Sequence, residues 1–196
     1  MATPPAEPLR QVTAWLAAAQ EAGEPLPEAM TLATSTADGT PSARLVILRG
    51  IDRGLLFFTD AESDKGAELA ANPRAAAVLH WHRPEHRQVR VAGEVEPGSD
   101  IEADGYWRSR PPGARRTATA VHQSRVVDGH ATLESRIAEL RDEQPDDTDL
   151  PRPARWRGFR IIPRSVEFWQ EAADGLHGRI RYLRDDGGWT SERLEP

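Results

Sequence analysis

Residues 44–49 read RLVILR, four consecutive apolar residues between two arginines. A half-buried strand alternates apolar and polar positions, so a strand without alternation needs cover on both faces. The run lies in PSARLVILRG, which follows AMTLATST after ADGT. An Asp-Gly between two β-prone runs is a hairpin signal. GLLFFTD, RAAAVLHW, RQVRVAGEVE, WRGFRIIP, SVEFWQ, RIRYLR and WTSERL read as further strands, with Gly187-Gly188 as the final turn. Many short strands with few helices between them predict an antiparallel barrel or sandwich, mainly β with flanking helices (α+β), and not a βαβ sheet. One face of RLVILR then lines the barrel. A helix or a second copy of the chain covers the other, and with so few helices a homodimer is the economical expectation.

Helices are signalled in four places, and a fifth stretch is ambiguous. Leu9, Val12, Trp15, Leu16 and Ala19 recur at helical spacing ahead of Gly23 and Pro25. SDKGAELAANP reads as a short helix capped by Ser63 and stopped by Pro73. Ser99 caps a helix that breaks at Pro111. ARRTATAVHQSRVV admits helix or ordered loop. GHATLESRIAELRDEQ sets Leu133, Ile137 and Leu140 on one face. PDDTDLPRP has linker composition, and residues 1–7, rich in Pro and Ala, read as disordered.

The net charge of −6 argues against nucleic-acid binding, which needs a basic face, but leaves room for a local cationic pocket. The absence of cysteine excludes disulfides, thiolate metal sites and cysteine nucleophiles. The start shows no secretory pattern, and no apolar run reaches the ~18 residues of a membrane span. The expectation is a soluble cytoplasmic protein. HWHRPEH, with His80, His82, Glu85 and His86, matches no metal-ligand spacing, and no metal is expected. Gly-x-Ser-x-Gly, dinucleotide and P-loop motifs are absent.

Cationic residues cluster by position instead. Arg44 and Arg49 bracket the apolar strand and point to opposite faces. Lys65 sits in the first turn of its helix, where free N–H groups and the dipole favour an anion and disfavour a lysine unless an anion is present. HQSR supplies Gln123, Ser124 and Arg125 as donors. In DGLHGRIRY, Arg179 and Arg181 share one strand face, with Ile180 and Tyr182 on the other.

AMTLATSTADGTPSARLVILRGID, FFTDAESDKGAELAANPRAAAVLHW, RQVRVAGEVE, YWRSRPPG, HQS, VEFWQ and LHGRIRY occur in this order, followed by GGW and RLEP. Together they resemble the pyridoxamine 5′-phosphate oxidase family, to which the phenazine-biosynthesis flavin oxidases are a sister group. The resemblance implies a single FMN-binding split-barrel domain over residues 8–196, with 156–196 completing the barrel and the dimer site. It implies FMN contacts from Arg44, Leu45, Val46, Ile47, Leu48, Phe58, Thr59, Lys65 and Gln88, and from the partner's Gln123, Ser124, Trp169 and Arg179. The implied chemistry is hydride transfer from a small aromatic substrate to flavin N5, with O2 reoxidising the flavin to give H2O2.

On the substrate side, the positions matching the family's contacts are Arg49, Tyr106 and Arg110, with His177 beside the reacting carbon. Gly175 stands where the family has arginine, Ala114 where it has serine, and Asp64 where it has a basic residue before Lys65. These departures leave two alternatives to a vitamin B6 phosphate oxidase: an oxidase of a dihydrophenazine-like intermediate, or a non-catalytic FMN- or pyridoxal-phosphate-binding protein. Arg116 and Arg181 are the nearby arginines able to compensate at Gly175.

Overall fold

The computed structural model describes residues 7–145 and 150–196. The N-terminal stretch expected to be disordered and the centre of the linker lie outside the described residues, apart from Glu7 and the linker's ends. Eight strands form one antiparallel sheet: β1 (Ala29–Ser35), β2 (Pro41–Ile51), β3 (Leu55–Asp60), β4 (Arg74–Trp81), β5 (Arg87–Pro97), β6 (Trp156–Gln170), β7 (Gly178–Asp185) and β8 (Gly188–Arg193). Their order is β3-β2-β1-β4-β5-β6-β7-β8, and an added β3–β6 pairing closes the first six into a barrel. Five helices flank it: α1 (Pro8–Glu21), α2 (Asp64–Ala71), α3 (Asp100–Ser109), α4 (Pro112–Ala120) and α5 (His130–Glu143).

β6 explains why the barrel is split. Its first part, Trp156–Ile161, pairs with β3, while Ser165–Gln170 pairs with β7. WRGFRIIP and SVEFWQ are therefore one strand, not the two expected from Pro163. A register shift at Ala92/Gly93 accommodates that proline and bends the strand toward its second partner. Gly93 permits the bend, because a Cβ there would lie 1.9 Å from the Ile162 carbonyl oxygen.

The barrel interior is apolar and closed by α1. Met30, Leu32, Phe57, Leu79, Trp81, Val89, Val91, Ile161 and Phe168 are buried, and Val12 and Trp15 of α1 pack on them. The Trp15 ring meets Phe168 edge-on at 5.1 Å. The second face of RLVILR behaves differently. Leu48 is buried and Val46 packs on the core, yet Leu45, on the opposite face, is 69% exposed. Among the described residues no helix covers Leu45.

The ambiguous segment after Pro111 divides into helix α4 and an irregular stretch with Gln123 and Ser124 in a turn. Leu133, Ile137 and Leu140 of α5 are half-buried, since this helix packs mainly on α4. The last hairpin turns at Asp186-Gly187, one residue earlier than expected, because Asp185 pairs with Gly188. No helix among the described residues is long and apolar enough to cross a membrane.

Candidate active site

β3 ends at Asp60 and α2 begins four residues later, capped by the Ser63 hydroxyl, which accepts from the Gly66 N–H. This turn gathers the first cluster. Lys65 Nζ donates to Ser63 Oγ at 3.1 Å and to Gln123 Oε1 at 2.9 Å. Thr59 Oγ1 reaches the same Gln123 oxygen at 3.1 Å, and the Asp64 N–H meets Ser124 Oγ at 3.3 Å. Burial first, then the charge of Arg44, holds the Lys65 ammonium below the usual lysine range. Among the described residues Lys65 makes no ion pair; both of its partners are neutral oxygens. Asp64 occupies the first turn, where the helix dipole suits an acid.

Arg44 lies one strand away and is already engaged. Its guanidinium bonds Thr34 and Ser42 and pairs with Glu68 at 3.0 Å. Burial raises the Glu68 carboxyl, but hydrogen bonds from Thr34, Ser42 and Arg44 outweigh it and leave the group below its ordinary range.

A second cluster forms on α3. Tyr106 stacks on Phe58 with ring centroids 4.4 Å apart. Arg49 and Arg110 approach the Tyr106 ring at 5.1 and 6.0 Å, and Arg110 also lies 4.1 Å over Trp156. Arg110 donates to the Ala114 carbonyl at 2.9 Å, while its buried Nε has no partner among the described residues. Burial, followed by the Arg49 charge, lowers the Arg110 pKa against the favourable field of Tyr106. Neither arginine has a carboxylate partner among the described residues, so two cations face each other uncompensated.

The third cluster stands at the far end of β6. Gln88, Trp169 and Arg179 fall in one row across β5, β6 and β7. Arg179 is held by Glu167 at 2.7 Å, and Arg90 approaches the other oxygen at 3.5 Å. Glu167 thus meets two guanidiniums, and it lies in the adjacent row, in register with Arg90 and Arg181. Ile180 and Tyr182 are buried on the opposite face. His177 packs against Trp169 at 5.0 Å, and its Nδ1 accepts the Ala172 N–H at 3.2 Å, leaving Nε2 as the donor of the neutral ring.

Between Trp156 and Trp169 the strand runs thirteen residues, roughly 40 Å at ~3.3 Å per residue. The first two clusters adjoin its beginning and the third its end. Within the chain Gln123 and Ser124 sit with Lys65, and Gln88 sits in register with Trp169 and next to the Arg179 row. Residue spacing could not have shown this, because Gln123 is reached through the irregular end of α4.

Gly175 adopts φ +78°, closing a turn onto the Ala172 carbonyl at 3.1 Å, and nothing lies within 4 Å of where its Cβ would be. Arg181 is bound to Glu192, and Arg116 donates to the Gln144 carbonyl at 3.1 Å, so neither fills that space within the chain. The histidines of HWHRPEH gather, with His82 Nδ1 3.1 Å from His86 Nε2. Burial and the two neighbouring rings lower the His80 pKa. Among the described residues no group of three or more His, Asp or Glu side chains is arranged to hold a metal.

Residues 16–144 match the family model described as pyridoxamine 5′-phosphate oxidase, and residues 156–196 match that of the pyridoxine 5′-phosphate oxidase C-terminal dimerisation region. A pyridoxine/pyridoxamine 5′-phosphate oxidase of Salinibacter ruber is 47% identical over 97% of this chain and 89% of its own. PhzG of Burkholderia lata, solved with tetrahydrophenazine-1-carboxylic acid, superposes with a TM-score of 0.92 at 36% identity, covering 98% of this chain and 94% of that one. A pyridoxamine 5′-phosphate oxidase-related, FMN-binding protein of Nostoc punctiforme shares the fold, with a TM-score of 0.77 at 20% identity and full coverage of both chains.

Proposed function

The chain belongs to the pyridoxamine 5′-phosphate oxidase family, an FMN-dependent oxidase family, and from that premise we propose that it oxidises pyridoxamine or pyridoxine 5′-phosphate as a homodimer. The observation that carries the substrate is the pair Arg49 and Arg110 on the Tyr106 ring without a carboxylate between them. Two guanidiniums and a phenol hydroxyl form a dianion site, and Arg110 keeps a free buried N–H for it. Ala114 contributes only its carbonyl, which accepts from Arg110, so the two arginines and Tyr106 supply the donors.

The residues present fit FMN. Lys65, the α2 N-terminus, Ser124 and Arg44 would hold its phosphate, an arrangement that answers a lysine without an ion pair in a helix's first turn. Trp169, Gln88 and Arg179 would take the ring end. A single chain keeps these groups at opposite ends of β6, so each cofactor would draw on both subunits, in keeping with the dimerisation region over 156–196. When bound, FMN would supply the redox chemistry, as hydride acceptor at N5 with O2 as the final oxidant and H2O2 as its product. The chain's own part is placement. Arg49, Tyr106 and Arg110 anchor the phosphate, His177 Nε2 presents a donor to the substrate, and the two guanidiniums at Glu167 favour negative charge on the ring.

A second reading has its own support. Gly175 removes a fixed cation and opens space beside His177, and PhzG, at 36% identity, is a structure in complex with a reduced phenazine acid. That reading makes the substrate a larger reduced aromatic carboxylate. Anaerobic mixing with pyridoxine 5′-phosphate, pyridoxamine 5′-phosphate and a dihydrophenazine carboxylate decides between them. Bleaching by the B6 phosphates, with one H2O2 per turnover in air, supports the first reading; bleaching by the phenazine alone overturns it.

A further inference from the structure

Asp60 ends β3 and is 2% exposed. Buried carboxylates need partners, and this one has three. One oxygen accepts the Glu62 N–H at 2.8 Å; the other accepts Arg155 Nε at 3.0 Å and the Gln123 N–H at 3.4 Å. Arg155 does not stop there. Its Nη2 donates to the carbonyls of Ala118 and Thr119 at 2.8 Å and of Val121 at 3.4 Å. These are the carbonyls at and just beyond the end of α4 that lack helical partners. One guanidinium thus ties the end of β3, the end of α4 and the stretch between Val121 and Gln123 into one unit. That stretch has no cover of its own: His122, Ser124, Arg125 and Val126 are exposed, and Ser124 sits at φ +67°.

We propose that Arg155, held by Asp60, is the positioning residue of the cofactor site: it fixes the backbone at Val121–Gln123 so that Gln123 meets Lys65 and Thr59, and Ser124 meets the start of α2. Arg155 touches none of the proposed flavin contacts except through Gln123 and its backbone. This inference rests on the placement of the FMN phosphate at Lys65 given above.

The test measures FMN affinity of the apo-dimer by fluorescence quenching, with apo-protein melting recorded in parallel. Arg155→Lys keeps a charge for Asp60 but loses the fork to the α4 carbonyls. It should raise the FMN Kd about tenfold, the scale of coupling between contacting groups. The same substitution in a Gln123→Ala, Ser124→Ala background should change Kd by less than about twofold, because the groups through which it acts are gone. A purely structural role would weaken FMN equally in both backgrounds, and that additivity overturns the proposal, as does an unchanged Kd in the single variant. Lys65→Gln separates the two levels. If it leaves Kd unchanged, the phosphate placement itself is wrong; if it weakens FMN while Arg155→Lys does not, only the role of Arg155 falls. Should Arg155→Lys fail to fold, Asp60→Asn, which removes the charge that holds Arg155 and keeps only one of the two acceptor oxygens, is compared in the same two backgrounds: a loss confined to the first supports the proposal, and an equal loss in both overturns it.

Discussion

Arg49 and Arg110 converge on one aromatic ring, 5.1 and 6.0 Å from the centre of Tyr106. Like charges placed together without a carboxylate disfavour the empty site and favour a bound anion. Arg49 is exposed and serves no structural bond among the described residues, so its removal isolates the ligand term. Arg49→Ala should raise KM for a phosphorylated substrate roughly tenfold to a hundredfold, the loss of a charged hydrogen bond, and leave the melting temperature nearly unchanged. Steady-state kinetics with the phosphorylated and dephosphorylated forms check it. The two forms should differ strongly in wild type and little in the variant.

Lys65 gives a pH dependence with a definite sign. Its pKa in the cofactor-free fold is lowered, burial being the largest cause. A bound phosphate restores the charge and raises that pKa, so the complex holds more protons than the free protein between the two values. FMN affinity should therefore fall as pH rises through the lowered Lys65 pKa, short of the ordinary lysine value of 10.5. The phosphate, with a second pKa near ~6, is a dianion throughout this range. Lys65→Arg removes the titration and should flatten the curve. Kd values measured from neutral to moderately alkaline pH decide it.

Most of the strands and their antiparallel pairing could be read from residue patterns, because alternation and turn chemistry are local. The hairpin at Asp38-Gly39, the Ser63 cap and the capping box of Ser99 and Glu102 appear where short-range signals placed them or implied a cap. Failures came where tertiary pairing outweighed local sense. Pro163 looked like a strand end, yet a bulge opposite Gly93 carries β6 through it. Gln123 meets Lys65 while Gln88 pairs with Trp169, and neither neighbour is legible, because sequence order says nothing about which end of a long strand a loop returns to. Asp60 and Arg155 gave no motif at all; their pairing spans 95 residues, and only the fold brings them together.

Acid should loosen the barrel's edge at Glu102. Hydrogen bonds from Arg160 and then from Ser99, resisted by burial, lower its carboxyl from 4.5 to about 2. A depressed carboxylate stabilises the fold above its unfolded pKa and loses that contribution as pH falls through the folded value. The loss runs between 4.5 and about 2. Because water still reaches the side chain, the contribution is about 1–2 kcal/mol and not the full shift. Glu102→Gln should be less stable than wild type at neutral pH and converge with it near the bottom of that window. Urea melts across the range measure both.

Gly175 carries a specificity prediction. An L-residue at φ +78° costs about 1–2 kcal/mol, but the surrounding space accepts a long side chain. Gly175→Arg should lower the melting temperature by a few degrees and lower KM for pyridoxine 5′-phosphate by supplying the missing cation beside His177. A KM that rises for B6 phosphates would assign the open space to a larger substrate.

The strongest consequence of the split barrel concerns assembly. Lys65 and Arg179 adjoin opposite ends of β6, so under the proposed placement each flavin draws on both chains. Leu45 lies on the uncovered face of β2, next in sequence to the Arg44 proposed for the phosphate end, and is 69% exposed in the isolated chain. A charge at that position in a dimer core would be desolvated without a partner, which costs several kcal/mol. Leu45→Asp should therefore yield a folded monomer, since the barrel interior does not use this side chain. Sedimentation and visible flavin absorbance, read on the same sample, give the test: dissociation and loss of colour should occur together over one concentration range. A monomer that keeps its FMN would show that one chain holds the whole cofactor site.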